Sequence, residues 1–191
     1  MWIKNIVTKG ILILFYPVGL ICNLEKKITR RNDLYEIFSH IFSLLPGIIG
    51  RYCLKAFYYN TLAEFHEDCR VHFGTIITNP NTIIKKNVAI TVKCSIGLCT
   101  IGEGTVIANN VCVMSGRYQH KFESSGLNLA DPSNFVGIKI GKKSFIGNNS
   151  LIMANVGDHC IVGAGSVVVK DIDSYSVAVG NPAKIIKKID F

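Results

Sequence analysis

The sequence predicts a mainly β fold, a parallel β-helix preceded by an α-helical segment and followed by a short tail. Branched aliphatic residues recur every six positions in the second half of the chain, with small or polar residues between them. The first part instead places apolar, aromatic and basic residues at loosely helical spacing. The chain has 191 residues, of which 49% are hydrophobic and 18% charged, so it can bury a core.

Residues 1–62 form the predicted helical segment, in which Pro46 and Gly47 separate two short helices. Residues 1–60 carry eight basic and three acidic residues, whereas the whole chain has a net charge of +8. Two interpretations stay open for this segment. It caps the open end of the following coils, or it lies at a membrane interface, with residues 2–22 making a peripheral contact.

Segment 10–22 is apolar but has only 13 residues and contains Pro17. A bilayer-spanning helix needs about 20 residues, so we do not predict a transmembrane segment. The seven cysteines are scattered, without the C-x-x-C spacing of zinc or redox sites. We therefore expect reduced cysteines and a cytoplasmic location, with peripheral attachment to the inner face of the membrane as the open alternative.

Residues 63–170 form the predicted β-helix. Four sets of three aliphatic residues are each spaced by six: Ile84, Ile90 and Ile96; Ile101, Ile107 and Val113; Ile140, Ile146 and Ile152; Val156, Val162 and Val168. In such a repeat, three six-residue units make one triangular coil, and each aliphatic side chain points inward. The small residue that follows the aliphatic one leaves room for a tight corner.

An inserted loop at 115–137 interrupts the repeat, and its polar sequence SGRYQHKFESSGLNLADPSNFV covers residues 115–136. A long insertion in a regular solenoid is usually functional. After Val168 we predict a turn and a short basic tail over residues 171–191.

These motifs resemble the hexapeptide-repeat acyltransferase family, and the sequence is most similar to its sugar and capsular-polysaccharide O-acetyltransferases. The resemblance covers residues 62–187. Its most specific parts are VGAGSVVVKDI (162–172) and VGNPAKII (179–186), which resemble the C-terminal coil and coenzyme A site of the family. The resemblance implies left-handed winding, a homotrimer, acetyl-CoA as co-substrate in a groove between neighbouring subunits, and no metal.

The same resemblance assigns roles to individual residues. It places the general base at His120, in the segment MSGRYQH, and the backbone donor for the oxyanion near Asn148. Arg117, Tyr118 and Gln119 flank the base and are candidates for acceptor contacts. The residues implied to bind acetyl-CoA are Gly163, Ala164, Gly165, Ser166, Lys170, Pro182, Ala183 and Lys184.

The implied activity is acyl-CoA-dependent transfer of an acetyl group to a sugar hydroxyl in surface-polysaccharide or glycolipid assembly. An imidazole with its ordinary pKa of about 6.5 is neutral near pH 7 and can accept the hydroxyl proton. Two alternatives stay open: an N-acyltransferase acting on an amino sugar or other small acceptor, and a noncatalytic membrane-associated scaffold. A carbonic-anhydrase-like metal site would need an H-x-x-x-x-H pair, which the sequence lacks. No nucleic-acid partner is expected, because the basic residues form no recognisable binding module.

Overall fold

The structure is a computed structural model that describes residues 9–116, 121–123, 126–128 and 135–190. For 121–123 and 126–128 it describes the backbone alone. Residues 9–14 are helical and lead into α1 (Tyr16–Thr29), which is followed by α2 (Asp33–Ser43) and α3 (Gly47–Thr61). The break between α2 and α3 at Pro46 and Gly47 confirms the predicted boundary. Within the described residues, no helix is both long enough and apolar enough to cross a membrane.

Strands follow in coils of three. The first three coils contain β1 (Glu64–Phe65), β2 (Arg70–Val71), β3 (Ile76–Ile77), β4 (Ile83–Ile84), β5 (Ala89–Ile90), β6 (Ser95–Ile96), β7 (Cys99–Ile101), β8 (Val106–Ile107) and β9 (Cys112–Val113). The insertion contains an antiparallel pair, β10 (Lys121–Glu123) and β11 (Gly126–Asn128). The later coils contain β12 (Ile138–Ile140), β13 (Phe145–Ile146), β14 (Leu151–Ile152), β15 (Ile161–Val162), β16 (Val167–Val168), β17 (Ser176–Val179) and β18 (Lys184–Lys188).

The coils stack into a left-handed parallel β-helix with three faces and about five turns. Face A contains β1, β4, β7 and β12; face B runs from β2 through β5, β8, β13, β15 and β17 to β18; face C contains β3, β6, β9, β14 and β16. We name the corners AB, BC and CA after the faces that they join. The predicted fold class is confirmed.

The aliphatic residues of the repeat form the core. All twelve predicted positions are at most 2% exposed, and equivalent residues of successive coils are paired, as Ile84 is with Ile101 and Ile101 with Ile140. The structure adds an earlier coil whose inward residues, Phe65, Val71 and Ile77, are also six apart and buried. Phenylalanine at the first of these positions hides the period in the sequence.

The small residue after each aliphatic one lies under the backbone of the next coil. A Cβ at Gly102 would lie 2.5 Å from the Lys142 nitrogen, and one at Gly147 would lie 2.5 Å from the Ala164 nitrogen. Real Cβ atoms do not approach backbone so closely. The tight corners predicted from the repeat are therefore present.

The helices pack on the first coil through two tyrosines. The Tyr35 hydroxyl donates to the Ile77 carbonyl at 2.7 Å, and the Ile77 N–H donates to the Tyr58 hydroxyl at 3.1 Å. Ser39 completes the network, because its hydroxyl lies 2.8 Å from that of Tyr58. Tyr58 and its neighbour Phe57 are fully buried. The helical unit and the β-helix thus share one hydrophobic core.

Residues 171–190 hold more regular structure than a turn and tail. Ile172 forms a parallel bridge with Val156, and β17 pairs in parallel with β15, so the coil continues past residue 170. The chain then reverses at Gly180, which has φ +101°, and β18 runs antiparallel to β17.

Candidate functional site

The inserted loop leaves and re-enters the solenoid at one point of the CA corner, between the third and fourth coils. A Cβ on Gly116, where φ is +94°, would lie 2.9 Å from the Val136 carbonyl oxygen. Leu98 holds both ends of the loop: its N–H donates to the Ser115 hydroxyl at 2.7 Å, and its carbonyl accepts from the Ile138 N–H at 3.2 Å. The base of the loop is therefore fixed to the rigid coils.

The predicted base and its neighbours belong to this loop. Gly116 is the last described residue before them, so the candidate base lies four positions beyond the fixed base of the loop. His120, Arg117, Tyr118 and Gln119 all lie outside the described residues. Their roles stay predictions.

The BC corner carries a ladder of side-chain to backbone hydrogen bonds that the sequence analysis did not foresee. The Val92 N–H donates to the Asn109 side-chain oxygen at 3.3 Å, and the Asn109 N–H donates to the Asn148 side-chain oxygen at 2.9 Å. Each asparagine thus satisfies the exposed N–H of the preceding coil. The side-chain oxygen of Asn148 thus serves the fold.

In the fifth coil, the position equivalent to Asn109 and Asn148 is occupied by Ala164. A methyl group cannot accept a hydrogen bond, so the fifth coil offers no side-chain acceptor to the Asn148 N–H. The Asn148 carbonyl is used, because it accepts from the Gly165 N–H at 2.8 Å. Asn148 and Ala164 are both exposed, so this corner of the fourth and fifth coils faces the solvent.

The other two corners continue their ladders over the same coils. At the AB corner, the Lys142 N–H donates to Asp158 Oδ1 and the Asp158 N–H donates to Ser174 Oγ, both at 2.9 Å. At the CA corner, the Asn155 N–H donates to Asp171 Oδ1, also at 2.9 Å. The interruption at Ala164 is therefore a local feature of the corner that the family resemblance implies for acetyl-CoA.

Four predicted acetyl-CoA residues form the turn of this corner in the fifth coil. Ala164 and Gly165 are exposed, Gly163 is half-buried, and Gly165 has φ +69°, which favours glycine. Ser166 differs, because it is fully buried and its hydroxyl accepts from the Gly180 N–H at 3.1 Å. The structure thus places the Ser166 side chain inside the coil.

The turn after β17 lies beside this corner. The Ala183 N–H donates to the Val167 carbonyl at 2.8 Å, which brings Pro182 and Lys184, both exposed, next to the start of β16. Lys170 is exposed too, but it lies beyond the other end of β16, at the CA corner. Seven of the eight predicted acetyl-CoA residues are therefore gathered at one corner, and Lys170 is separate.

The cysteines offer no ready thiolate. Burial raises the pKa of Cys99 to about 12 and, together with Glu25, raises that of Cys22 to about 11. Burial also raises the pKa of each of the other five thiols: Cys53, Cys69, Cys94, Cys112 and Cys160. A protonated thiol is a weak nucleophile, so this pattern disfavours a role for these cysteines as nucleophiles.

A cavity of about 300 Å³ lies between α2 and face C. It is lined by Tyr35, Glu36, Ser39 and His40 from α2, by residues 76–79, and by Phe135 at the end of the inserted loop. His40 Nε2 lies 3.9 Å from Glu36 Oε1. Only the docking of α2 on the coils creates this cavity, so no sequence motif could have indicated it. Across the part of the chain that the structure describes, no three His, Cys, Asp or Glu residues gather in a metal-binding arrangement.

Solved structures share this fold. A maltose O-acetyltransferase from Clostridium difficile 630 superposes with a TM-score of 0.67 and 21% identity, over 85% of this chain and 88% of that one. A galactoside acetyltransferase in complex with coenzyme A gives a TM-score of 0.66 and 23% identity, over 81% and 78% of the two chains. At these identities the likeness shows the fold, which is that of the hexapeptide-repeat acetyltransferases.

Curated relatives match over shorter segments, and no protein-family model matches the chain. A protein of Staphylococcus aureus (strain MRSA252), provisionally named an acetyltransferase, is 40% identical over 75 residues, which are 38% of this chain and 34% of that protein. The dTDP-3-amino-3,6-dideoxy-alpha-D-galactopyranose 3-N-acetyltransferase of Aneurinibacillus thermoaerophilus is 46% identical over 56 residues, 28% of this chain and 29% of that protein. The chain thus spans about a third of the length of these relatives.

Proposed function

We propose that this protein transfers an acetyl group from acetyl-CoA to a sugar hydroxyl, with His120 as the general base. The observation that carries the proposal is the interrupted ladder at the BC corner. There a backbone N–H, that of Asn148, faces an exposed Ala164 beside Gly163, Gly165 and the Pro182 turn. The names of the similar proteins, among them a maltose O-acetyltransferase and a galactoside acetyltransferase in complex with coenzyme A, support the same assignment.

The residues of this corner fit the pantetheine arm of coenzyme A. A narrow amide chain needs small side chains and accessible backbone groups, and Gly163, Ala164 and Gly165 supply both. We assign the phosphates of the nucleotide to Lys184, which is exposed at the start of β18. When acetyl-CoA is bound, its thioester supplies the activated acyl group.

The protein then has two chemical tasks. His120, as a neutral imidazole, takes the proton from the acceptor hydroxyl while the oxygen attacks the thioester carbonyl carbon. The Asn148 N–H stabilises the negative charge that develops on the carbonyl oxygen. As the C–S bond breaks, His120 returns the proton to the departing sulfur, so that the acetylated sugar and free thiol are formed and the protein is unchanged.

The geometry favours a site shared between subunits of a homotrimer. The loop that bears His120 emerges at the CA corner, whereas Asn148 and Ala164 lie at the BC corner, one full face away. In the proposed trimer, the loop of one subunit would supply His120 to the BC corner of its neighbour. Light scattering tests this arrangement, since a monomer that retains full activity would contradict a shared site.

An amino group on the sugar is the second candidate acceptor. It is favoured by the 46% identity to an N-acetyltransferase that acts on a dTDP-linked amino sugar, although that identity covers only 56 residues. The same base and the same backbone donor would serve an amine. A panel that pairs each sugar with its amino-sugar counterpart therefore separates the two acceptors.

The deciding experiment measures thiol release from acetyl-CoA in the presence of these acceptors. His120→Ala should lower acceptor-dependent kcat by at least about 100-fold, the usual contribution of a general base. His66→Ala is the matched control, because it removes the same side chain from a position outside the loop, where His66 Nδ1 lies 3.1 Å from Asp68 Oδ2. Equal rates for wild type and His120→Ala would remove His120 from its role. Coenzyme binding without turnover on any acceptor would favour the scaffold alternative.

A further inference from the structure

The helical unit carries an apolar face that nothing in the described chain covers. Along the helix that contains α1, residues 13, 17, 20, 24 and 28 follow at intervals of three or four and so share one side. The aliphatic members of this stripe, Ile13, Leu20, Leu24 and Ile28, are 49–73% exposed. The opposite side of the same helix, which includes Gly19 and Cys22, is buried against the rest of the protein.

A second stripe of exposed apolar residues lies on α2 and the start of α3. Ile37, Ile41 and Leu44 follow at intervals of three or four on α2 and its C-cap, Ile48 lies on α3 after the break at Pro46, and all four are 50–69% exposed. The two helices meet where the Phe15 and Phe42 rings pack with centroids 5.0 Å apart. Most of the exposed large hydrophobic residues in the described chain belong to this helical unit. A surface of this extent is typical of an interaction site.

The surface is accompanied by positive charge. Residues 9–61 carry seven basic residues and three acidic ones, Glu25, Asp33 and Glu36. Of these three, Glu25 accepts from the Leu34 N–H and Asp33 pairs with Arg31. The charge excess therefore lies on the same unit as the apolar stripes.

A basic pocket of about 160 Å³ lies where α3 meets the first coil. Arg51, Tyr52, Lys55, Cys69 and Arg70 line it. Arg51 follows the exposed pair Ile48 and Ile49 by two residues, so the pocket adjoins the second apolar stripe. Apolar side chains beside a cationic pocket match a molecule that has acyl chains and an anionic headgroup.

We propose that the helical unit docks the protein on the surface of an anionic phospholipid bilayer. The two apolar stripes enter the boundary between headgroups and acyl chains, and the pocket formed by Arg51, Lys55 and Arg70 receives a headgroup phosphate. A second copy of the chain is a poorer occupant, because it would bring one positive unit against another. The proposal is independent of the proposed function, and it concerns a surface wider than the contact predicted from residues 2–22.

Vesicle flotation tests the docking with the full chain. Wild type should float with vesicles of phosphatidylcholine and phosphatidylglycerol, and more weakly with phosphatidylcholine alone. Ile28→Asp should lower the bound fraction roughly tenfold, because it places a charge on the apolar face. Ile186→Asp is the matched control, since Ile186 on β18 is 64% exposed and Ile28 is 71% exposed. This control should float like wild type.

A second matched pair tests the pocket. Arg70→Gln should weaken binding to the anionic vesicles several-fold and leave binding to phosphatidylcholine unchanged. Lys86→Gln removes an exposed charge from the AB corner, outside the pocket. It should change neither the binding to anionic vesicles nor the binding to phosphatidylcholine. The proposal is overturned if wild type does not float, or if Ile28→Asp and Ile186→Asp behave alike. A fall in oligomer mass caused by Ile28→Asp alone, with no flotation of wild type, would instead assign the face to contacts between copies.

Discussion

Single residues decide which backbone groups of the coils stay available. Asn109 and Asn148 each satisfy one N–H of the preceding coil, whereas Ala164 occupies the next position of the same column and cannot. Because Ala164 offers no acceptor, the Asn148 N–H is a candidate oxyanion donor, whereas the Asn109 N–H is part of the structural ladder. The contrast lies in side-chain chemistry at equivalent positions, so it can be reversed by substitution.

Ala164→Asn should supply a side-chain oxygen that accepts a hydrogen bond from the Asn148 N–H, so that this N–H is no longer available to the substrate. We expect kcat with acetyl-CoA to fall about 100-fold, the usual effect of losing one oxyanion donor. The free energy of unfolding should stay constant or rise, because a structural hydrogen bond is gained. Val92→Asn is the matched control, as it adds the same side chain to the same column three coils away. Full activity of Ala164→Asn would show that the Asn148 N–H has no part in transfer.

The substitution Gly102→Ala tests how closely successive coils approach each other at the AB corner. A Cβ at this position would lie 2.5 Å from the Lys142 nitrogen, so Gly102→Ala must push two coils apart. Overpacking of this kind costs about 1–3 kcal/mol of unfolding free energy. The midpoint of thermal unfolding should fall by several degrees. Gly10→Ala, in a helix with no atom within 4 Å of the added Cβ, should leave the midpoint unchanged or raise it, because alanine favours the helix.

At this scale the sequence predicts the buried residues better than the polar ones. The six-residue period predicts every inward aliphatic position from Ile84 to Val168, because burial requires a regular pattern. The ladder asparagines give no such signal. Asn is also common in ordinary turns, and its role here depends on which residue occupies the same corner of the next coil. For the same reason, Ser166 cannot be recognised from sequence as a buried acceptor.

Among the elements, the contact between helices and coils is the least predictable from sequence. The helices α2 and α3 are indicated by their spacing and by Pro46 and Gly47. Their attachment to β3 depends on two hydroxyl groups, those of Tyr35 and Tyr58, which meet one residue 19 or more positions away. No local pattern specifies such a pairing, so the cavity between α2 and face C was also beyond prediction.

Tyr58→Phe tests this attachment. The variant leaves the Ile77 N–H without its acceptor in a fully buried position, where an unsatisfied group costs about 1–3 kcal/mol. Chemical denaturation should therefore show a lower free energy of unfolding. Tyr59→Phe is the matched control, because Tyr59 is 44% exposed, and it should change stability by less than about 0.5 kcal/mol. Equal stability of the two variants would show that the hydroxyl does not join the units.

For the whole molecule, the buried acidic groups predict loss of stability in alkali. Burial raises the pKa of Cys99 from 9.0 to about 12 and that of Tyr58 from 10.0 to about 12. Below pH 9 both groups are protonated in the folded and in the unfolded protein, so their full contribution to the free energy of unfolding is present there. Above it the unfolded chain releases them first, and the free energy of unfolding falls as the pH rises towards 12.

Denaturation under reducing conditions at several pH values measures this fall. Cys99 alone should contribute about 1 kcal/mol of lost stability near pH 10. Cys99→Ala should be less stable than wild type at neutral pH, because a buried side chain is truncated, but its stability should decline less steeply in alkali. Parallel declines for the two proteins would show that the Cys99 thiol does not differ between folded and unfolded states.

The reversal of β18 has a consequence for assembly. Coils that stack in parallel could in principle add the coils of another molecule and grow into a fibril. On face B, the outermost described strand runs the opposite way, and all five of its residues are exposed, including Lys184, Lys187 and Lys188. An incoming coil would meet a mismatched strand direction and a row of like charges. We therefore expect the segment that the sequence indicates as a short basic tail to disfavour end-to-end stacking of coils.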